Sequence, residues 1–125
     1  MRRISSLSDE HRRAAFRLAL FVCVLAISYL AFAPPARLPD TTPGDKLSHG
    51  LAFAALAWLA DMSYPGRYLA MHRWTLLLGY GLFIELVQGF LPYRDLSLFD
   101  FVADAAGILC YSMAAWIYAR TQYLK

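Results

Sequence analysis

Four apolar stretches, each close to 20 residues and separated by short loops, limit what this chain can fold into. They run roughly from Ala14 to Ala33, Leu47 to Tyr64, Trp74 to Leu91 and Asp100 to Ala119. A helix needs about 20 mostly apolar residues to cross the hydrocarbon of a bilayer. The spacing therefore predicts an all-α integral membrane protein, a four-helix transmembrane bundle. Short connections make successive helices antiparallel. The stop signals agree: Pro34, Pro35, Pro39 and Pro43 extend the first loop, Pro65-Gly66 marks the second turn, and Pro92 ends the third stretch. A hydrophobic fraction of 59% against 17% charged residues is a membrane balance rather than that of a soluble domain. Trp58, Tyr64, Tyr68, Trp74, Tyr93, Trp116 and Tyr118 lie near segment ends, where interfacial aromatics collect.

Residues 1–13 read as a cytoplasmic N-terminal segment, a short surface helix with Ser8 as its N-cap, and 14–125 as the transmembrane domain. The arginines, the apolar run and Ala31-Phe32-Ala33 together resemble a secretory signal peptide with its cleavage site. The apolar run is too long for that pattern, and Pro34 would follow the scissile bond. Orientation follows from basic residues. With the N-terminus inside, Arg2, Arg3, Arg12, Arg13, Arg17, Arg67, Arg73, Arg120 and Lys125 face inward, while Arg37, Lys46 and Arg94 face outward. Nine against three favours N-in and C-in. The expected location is a bacterial cytoplasmic (inner) membrane, crossed several times. The net charge of +3 comes from this flanking bias, and no basic face on a folded domain is visible, so no nucleic acid is expected as a partner.

That topology gathers the polar residues of the apolar stretches at one end. Asp45, Lys46 and His49 open the second helix, Glu85 and Gln88 lie in the outer half of the third, Arg94 is in the loop, and Asp100 and Asp104 begin the fourth. Asp45 and His49 share a helix face, as do Asp100 and Asp104, and Glu85 and Gln88 are three apart. Lipid turns such stripes inward, and ionisable groups within a membrane mark sites by default. Gly50/Ala54 and Ala103/Gly107 form small-x-x-x-small pairs that let helices approach closely.

His49 beside a carboxylate suits a general base or a metal ligand. Glu85 is the deepest acid, with Lys46, Arg94 or His49 as prospective partners, and His49, Glu85 and Asp104 are the candidates for any catalysis. Gln88 reads as a hydrogen-bond partner. Arg94 can grip a carboxylate or phosphate, or clamp the loop through Asp95 or Asp100. Asp100 can cap the fourth helix. Asp61, Arg67, His72 and Arg73, at the other end, read as a solvated boundary. Cys23 and Cys110 lie in apolar segments with no ligand spacing, and no motif of the H-E-x-x-H kind occurs, so no metal site is assigned from spacing and the cofactor is unknown; a hard cation such as Mg²⁺ or Ca²⁺ would suit the oxygen ligands.

Three blocks in order carry a resemblance: Asp45-Lys46-x-x-His49-x-x-x-Phe53, Gly81-x-x-x-Glu85-x-x-Gln88, and Arg94-x-x-Ser97-x-x-Asp100-x-x-x-Asp104-x-x-Gly107. Their order and spacing resemble the VanZ-like family of small bacterial membrane proteins, named for a protein linked to resistance against the glycopeptide teicoplanin. Asp104 departs from the asparagine common there. The resemblance implies a role in the cell envelope and, for some members, antibiotic resistance; it supplies no reaction. Four functions follow from the polar layer. One is a site near the outer membrane face that binds an anionic lipid headgroup or a lipid-linked cell-wall precursor through Asp45, Lys46, His49, Glu85, Gln88, Arg94, Asp100 and Asp104. Another is an intramembrane metal-dependent or acid–base enzyme acting on a lipid-linked envelope substrate. A third is a small proton-coupled transporter, possible as a homo-oligomer, with Glu85 as relay. The last is a purely structural pin between helices. The lipid bilayer is the expected partner in every case.

Overall fold

The computed structural model describes residues 2–37 and 45–124, with side chains from 8–37 and 46–124. Pro39 and Pro43 of the first loop and the side chain of Asp45 lie outside the described residues. Four helices account for nearly all of the described chain, with no strand among the described residues: α1 (Arg2–Phe32), α2 (Asp45–Ser63), α3 (Ala70–Phe90) and α4 (Leu98–Tyr123). Helix α1 runs unbroken across position 13, so Ser8 falls inside it and not at its start. Helix α4 begins at Leu98 because Ser97 is its N-cap, its Oγ accepting from the amide of Asp100 at 3.3 Å. Asp100 is therefore a first-turn residue and not the cap.

Two helical stretches, Ser8–Phe32 and Leu98–Tyr123, are long and apolar enough to cross a membrane by length and composition. Contacts fix how the four run. Phe16 meets Trp58 edge-on and Arg17 reaches Ser63, so the middle of α1 lies beside the end of α2. Gln88 reaches Ala31, so α1 and α3 end together. His49 meets Asp104 and Asp61 meets Tyr111, so α2 and α4 run in the same direction. One end of the molecule thus combines the end of α1, the start of α2, the end of α3 and the start of α4.

The closest helix pair is set by glycine. A Cβ on Gly107 would collide with the backbone carbonyl of Gly50 and lie 3.1 Å from the amide nitrogen of Ala54, while the carbonyl of Ala103 faces Gly50. The two small-residue pairs read from the sequence therefore face each other across α2 and α4. Below that crossing, Phe53, Leu56, Ala57, Ala60, Leu77, Ile84 and Ile108 form the apolar core, with Phe53 stacked on Tyr80. At the other end, Gly66 takes a φ of 128°, which a side chain would resist, and turns α2 toward α3. Arg73 donates to the carbonyls of Tyr64 and Gly66, and Arg17 to that of Ser63. The carbonyls of Tyr64 and Ser63 are thereby supplied, and that of Gly66, which also accepts from the amide of Leu69, gains a second donor.

Burial is inverted relative to a water-soluble protein. Glu85, Gln88, Asp100, Asp104 and Ser63 are buried, whereas Leu18, Phe21, Leu76, Phe90 and Phe99 are exposed. Trp58, Tyr64, Tyr68, Trp74, Tyr93, Trp116 and Tyr118 are exposed as well.

Candidate functional site

At the end where α2 and α4 begin, His49 points between two turns of α4. Its Nδ1 lies 2.7 Å from Asp104 Oδ1 and its Nε2 lies 3.9 Å from Asp100 Oδ2. The i, i+4 spacing of the two aspartates places both on the face that α2 covers. Asp104 is fully buried. Its second oxygen, Oδ2, sits where a Cβ on Gly81 would approach to 2.8 Å. Gly81 therefore gives the carboxylate room against α3, one helical turn before Glu85.

Glu85 is 1% exposed. Its Oε2 accepts from the backbone amide of Ser97 at 3.0 Å. Ser97 thus joins the end of α3 to the start of α4 through its amide and caps α4 through its hydroxyl. The expected partners of Glu85 were cationic side chains, and the structure supplies a backbone donor instead. Among the described residues, Glu85 Oε1 and Asp104 Oδ2 have no hydrogen-bond partner.

Gln88 and Arg94 serve a different purpose at the same end. Pro34 and Pro35 remove the two amides that would have bonded Leu30 and Ala31 in the next helical turn. Arg94 donates to the carbonyl of Leu30 at 3.0 Å, and Gln88 to that of Ala31 at 3.0 Å. Tyr93 Oη donates to Phe32 at 2.7 Å, and Arg94 reaches Ala33 as well, at 3.2 Å. Every carbonyl from residue 30 to 33 is thus supplied by a side chain from the end of α3 or the loop after it. Neither Asp95 nor Asp100 pairs with Arg94 among the described residues.

Between these two groups lies an open polar cavity of about 260 Å³. Lys46, His49, Ser97 and Asp100 line one part of it, and Gln88, Tyr93, Arg94 and Asp95 the other. Lys46 is exposed at its rim. Of the residues singled out from the sequence, His49, Glu85, Asp100 and Asp104 form the buried centre, Lys46, Gln88 and Arg94 border the cavity, and Asp45 has no described side chain. Sequence reasoning passed over Tyr93, read only as an interfacial aromatic, although its place immediately before the Arg94 block offered a hint. Ser97 appeared only as a letter in the motif.

Two buried acids and a partly buried histidine also form a prospective ligand set that no linear spacing announces. His49, Glu85 and Asp104 each offer one ligand atom, and these atoms lie within 4.8 Å of one another. Chemically, the imidazole can act as a carboxylate-oriented base or bind a cation jointly with the two acids.

The opposite end holds a second bonded set. Tyr111 Oη donates to Asp61 Oδ2 at 2.8 Å, and Arg73 pairs with Asp61 Oδ1 at 2.9 Å. Asp61 and Arg73 are therefore joined to each other and to α4, not left to solvent as a charged boundary would be. They are too far along α2 and α3 to belong to the His49 centre.

No family model matches the chain, and no solved structure does. The chain is similar to an uncharacterized protein of fission yeast, Schizosaccharomyces pombe, at 40% identity over 97 residues, which is 72% of this chain and 56% of that protein. The chain thus spans about half the length of the relative it matches. That relative is eukaryotic, and this overturns the expected location: a bacterial cytoplasmic membrane is not where the comparison points.

Proposed function

We propose that the chain is a four-span membrane protein, N-in and C-in, that receives the polar head of an anionic membrane lipid in the cavity beside His49. The resemblance to the VanZ-like family is part of the proposal, without its bacterial setting. The observation that carries it is the alternation at the start of α4. Ser97 and Asp100 line the polar cavity, while Leu98 and Phe99 between them face outward, Phe99 with 72% of its surface exposed. A polar pocket thus opens directly beside an apolar outer face. An amphiphile fits both at once, its head among Lys46, His49 and Ser97 and its chains along Phe99 and Val102. The inverted burial supports lipid around all four helices, since exposed apolar faces and inward acids suit hydrocarbon and not water. The nine-to-three bias of basic residues supports the orientation.

The test is binding of short-chain phosphatidylglycerol or phosphatidic acid, against phosphatidylcholine, to the purified full chain in detergent, read by native mass spectrometry. Retained anionic lipid that falls away in Lys46→Ala and in Ser97→Leu supports the proposal. Equal retention of all three lipids by wild type and both variants rejects it.

A further inference from the structure

We propose that His49, Glu85 and Asp104 together bind one divalent cation of the Zn²⁺ class, whose remaining coordination positions open toward the polar cavity. The first reason is placement. Three helices each contribute one ligand atom, all within 4.8 Å of one another. Helix α2 brings the imidazole, α3 brings Glu85 and α4 brings Asp104. Ligands of a tetrahedral cation at about 2.0–2.1 Å stand roughly 3.4 Å apart. The set reaches that size when Glu85, one of whose oxygens is unheld, rotates inward and the cation parts His49 Nδ1 from Asp104 Oδ1, which are hydrogen-bonded at 2.7 Å.

The second reason is independent of the clustering. Glu85 and Asp104 are 1% and 0% exposed, and each keeps one carboxylate oxygen with no hydrogen-bond partner. Such a buried oxygen calls for an explanation, because leaving it unmatched is costly. Asp104 Oδ2 points at Gly81, the α3 residue one turn before Glu85, so the unmatched oxygen faces the shared space. Among the described residues no lysine or arginine forms an ion pair with Glu85, Asp100 or Asp104. Arg94, the nearest candidate by sequence, is committed to the carbonyls at the end of α1. Three carboxylates therefore surround one histidine with no lysine or arginine in ion-pair contact among the described residues.

A cation answers both observations, because it takes two carboxylate oxygens and an imidazole nitrogen at once. An imidazole in the donor set favours Zn²⁺ and its neighbours over Mg²⁺ or Ca²⁺, which prefer oxygen alone. Three protein ligands with a position left open is the arrangement of a cation that also holds a guest. The inference deepens the headgroup proposal, resting on it only for what fills the open position. It also removes a difficulty, since a cluster of carboxylates alone repels an anionic head.

The experiment uses the full chain in detergent, stripped with chelator and titrated with Zn²⁺ by calorimetry, then with Co²⁺ by absorption. The expected result is one Zn²⁺ per chain. Losing even an outer-shell partner of a metal ligand weakens binding about 10–100-fold, so removing a direct ligand in Glu85→Gln or Asp104→Asn should weaken it by at least that. Arg120→Ala, at the opposite end of the molecule, should bind as wild type does. In case either acid variant fails to fold, the Co²⁺ spectrum of the wild type decides. Visible ligand-field bands of a low-coordinate site without a thiolate charge-transfer band support the three ligands and clear Cys23 and Cys110. No stoichiometric Zn²⁺ uptake, a thiolate band, or uptake unchanged in folded acid variants overturns the inference. Anionic-lipid binding by chelated protein, measured alongside, separates its failure from that of the headgroup proposal: no Zn²⁺ uptake with anionic lipid still held at full strength sinks only the cation.

Discussion

Arg94 donates to the carbonyl of Leu30, a partner 64 residues away that Pro34 leaves without a helical donor. The same guanidinium nitrogen reaches Ala33. The loop after α3 therefore completes the end of α1, and the two prolines and the Gln88–Tyr93–Arg94 group form one device.

Removing the donor should expose the dependence. Arg94→Met orphans the carbonyl of Leu30 and weakens the supply to Ala33, at about 1–3 kcal/mol per unmatched buried group. Thermal unfolding in detergent should show a lower midpoint. Pro34→Ala added to Arg94→Met restores an amide four residues beyond Leu30 and should recover part of the loss. Additive effects of the two substitutions would show that the proline and the arginine are not coupled.

Glycine substitutions should separate sharply by position. Gly107→Ala drives a methyl group into the backbone of Gly50, and a backbone cannot rotate away. Overpacking of this kind costs about 1–3 kcal/mol or more, so loss of the folded species on size-exclusion chromatography is expected. Gly79→Ala meets nothing within 4 Å and gains helix propensity of up to about 1 kcal/mol. Its melting point should hold or rise. Similar damage from both would mean that helix flexibility, not the α2–α4 approach, is what glycine supplies.

The helices and their polar end are legible from the chain because both depend on local rules. Apolar length with proline punctuation places four helices, and turn counting from the loops brings His49, Glu85, Asp100 and Asp104 to one level. Facing small-residue pairs are legible for the same reason. Element starts are less so: Ser97, two residues before the apolar run becomes obvious, takes the cap that Asp100 seemed to hold. Arg94 is the clearest failure. Nearby aspartates suggest an acidic partner, whereas its true partner is a carbonyl whose need arises only from the missing amide of a proline in another helix. Asp61 and Arg73 fail likewise, because the hydroxyl of Tyr111 that joins them comes from a distant helix.

His49 and Asp104 should behave as a unit. Asp104 is wholly buried and His49 is its sole side-chain hydrogen-bond partner among the described residues. His49→Leu leaves a buried carboxylate without that partner, a change that costs about 3–5 kcal/mol when a buried pair is broken. Asp104→Leu removes the charge itself and should cost less. The double variant should be more stable than the sum of the two single losses. A double-mutant cycle in denaturant, with a coupling near zero, would disprove the pairing.

Topology supplies the last expectation, and it follows from the end-to-end arrangement of the helices. Lys46 and Arg94 border the same cavity, while Arg67 and Arg120 border another, of about 720 Å³, at the opposite end. If all four helices cross the bilayer, single cysteines at positions 46 and 94 should react with a membrane-impermeant thiol reagent from one side, and those at 67 and 120 only from the other, in a background with Cys23 and Cys110 replaced by serine. The two stretches that are long and apolar enough on their own, Ser8–Phe32 and Leu98–Tyr123, do not by themselves fix the side of α2 and α3. Labelling at 67 is the discriminating measurement. In a four-span protein it sits across the membrane from 46 and 94, because α2 carries the chain over and α3 carries it back. Reaction of position 67 from the same side as 46 would leave α2 and α3 together on one face and end the four-span arrangement, whatever the outcome at 120.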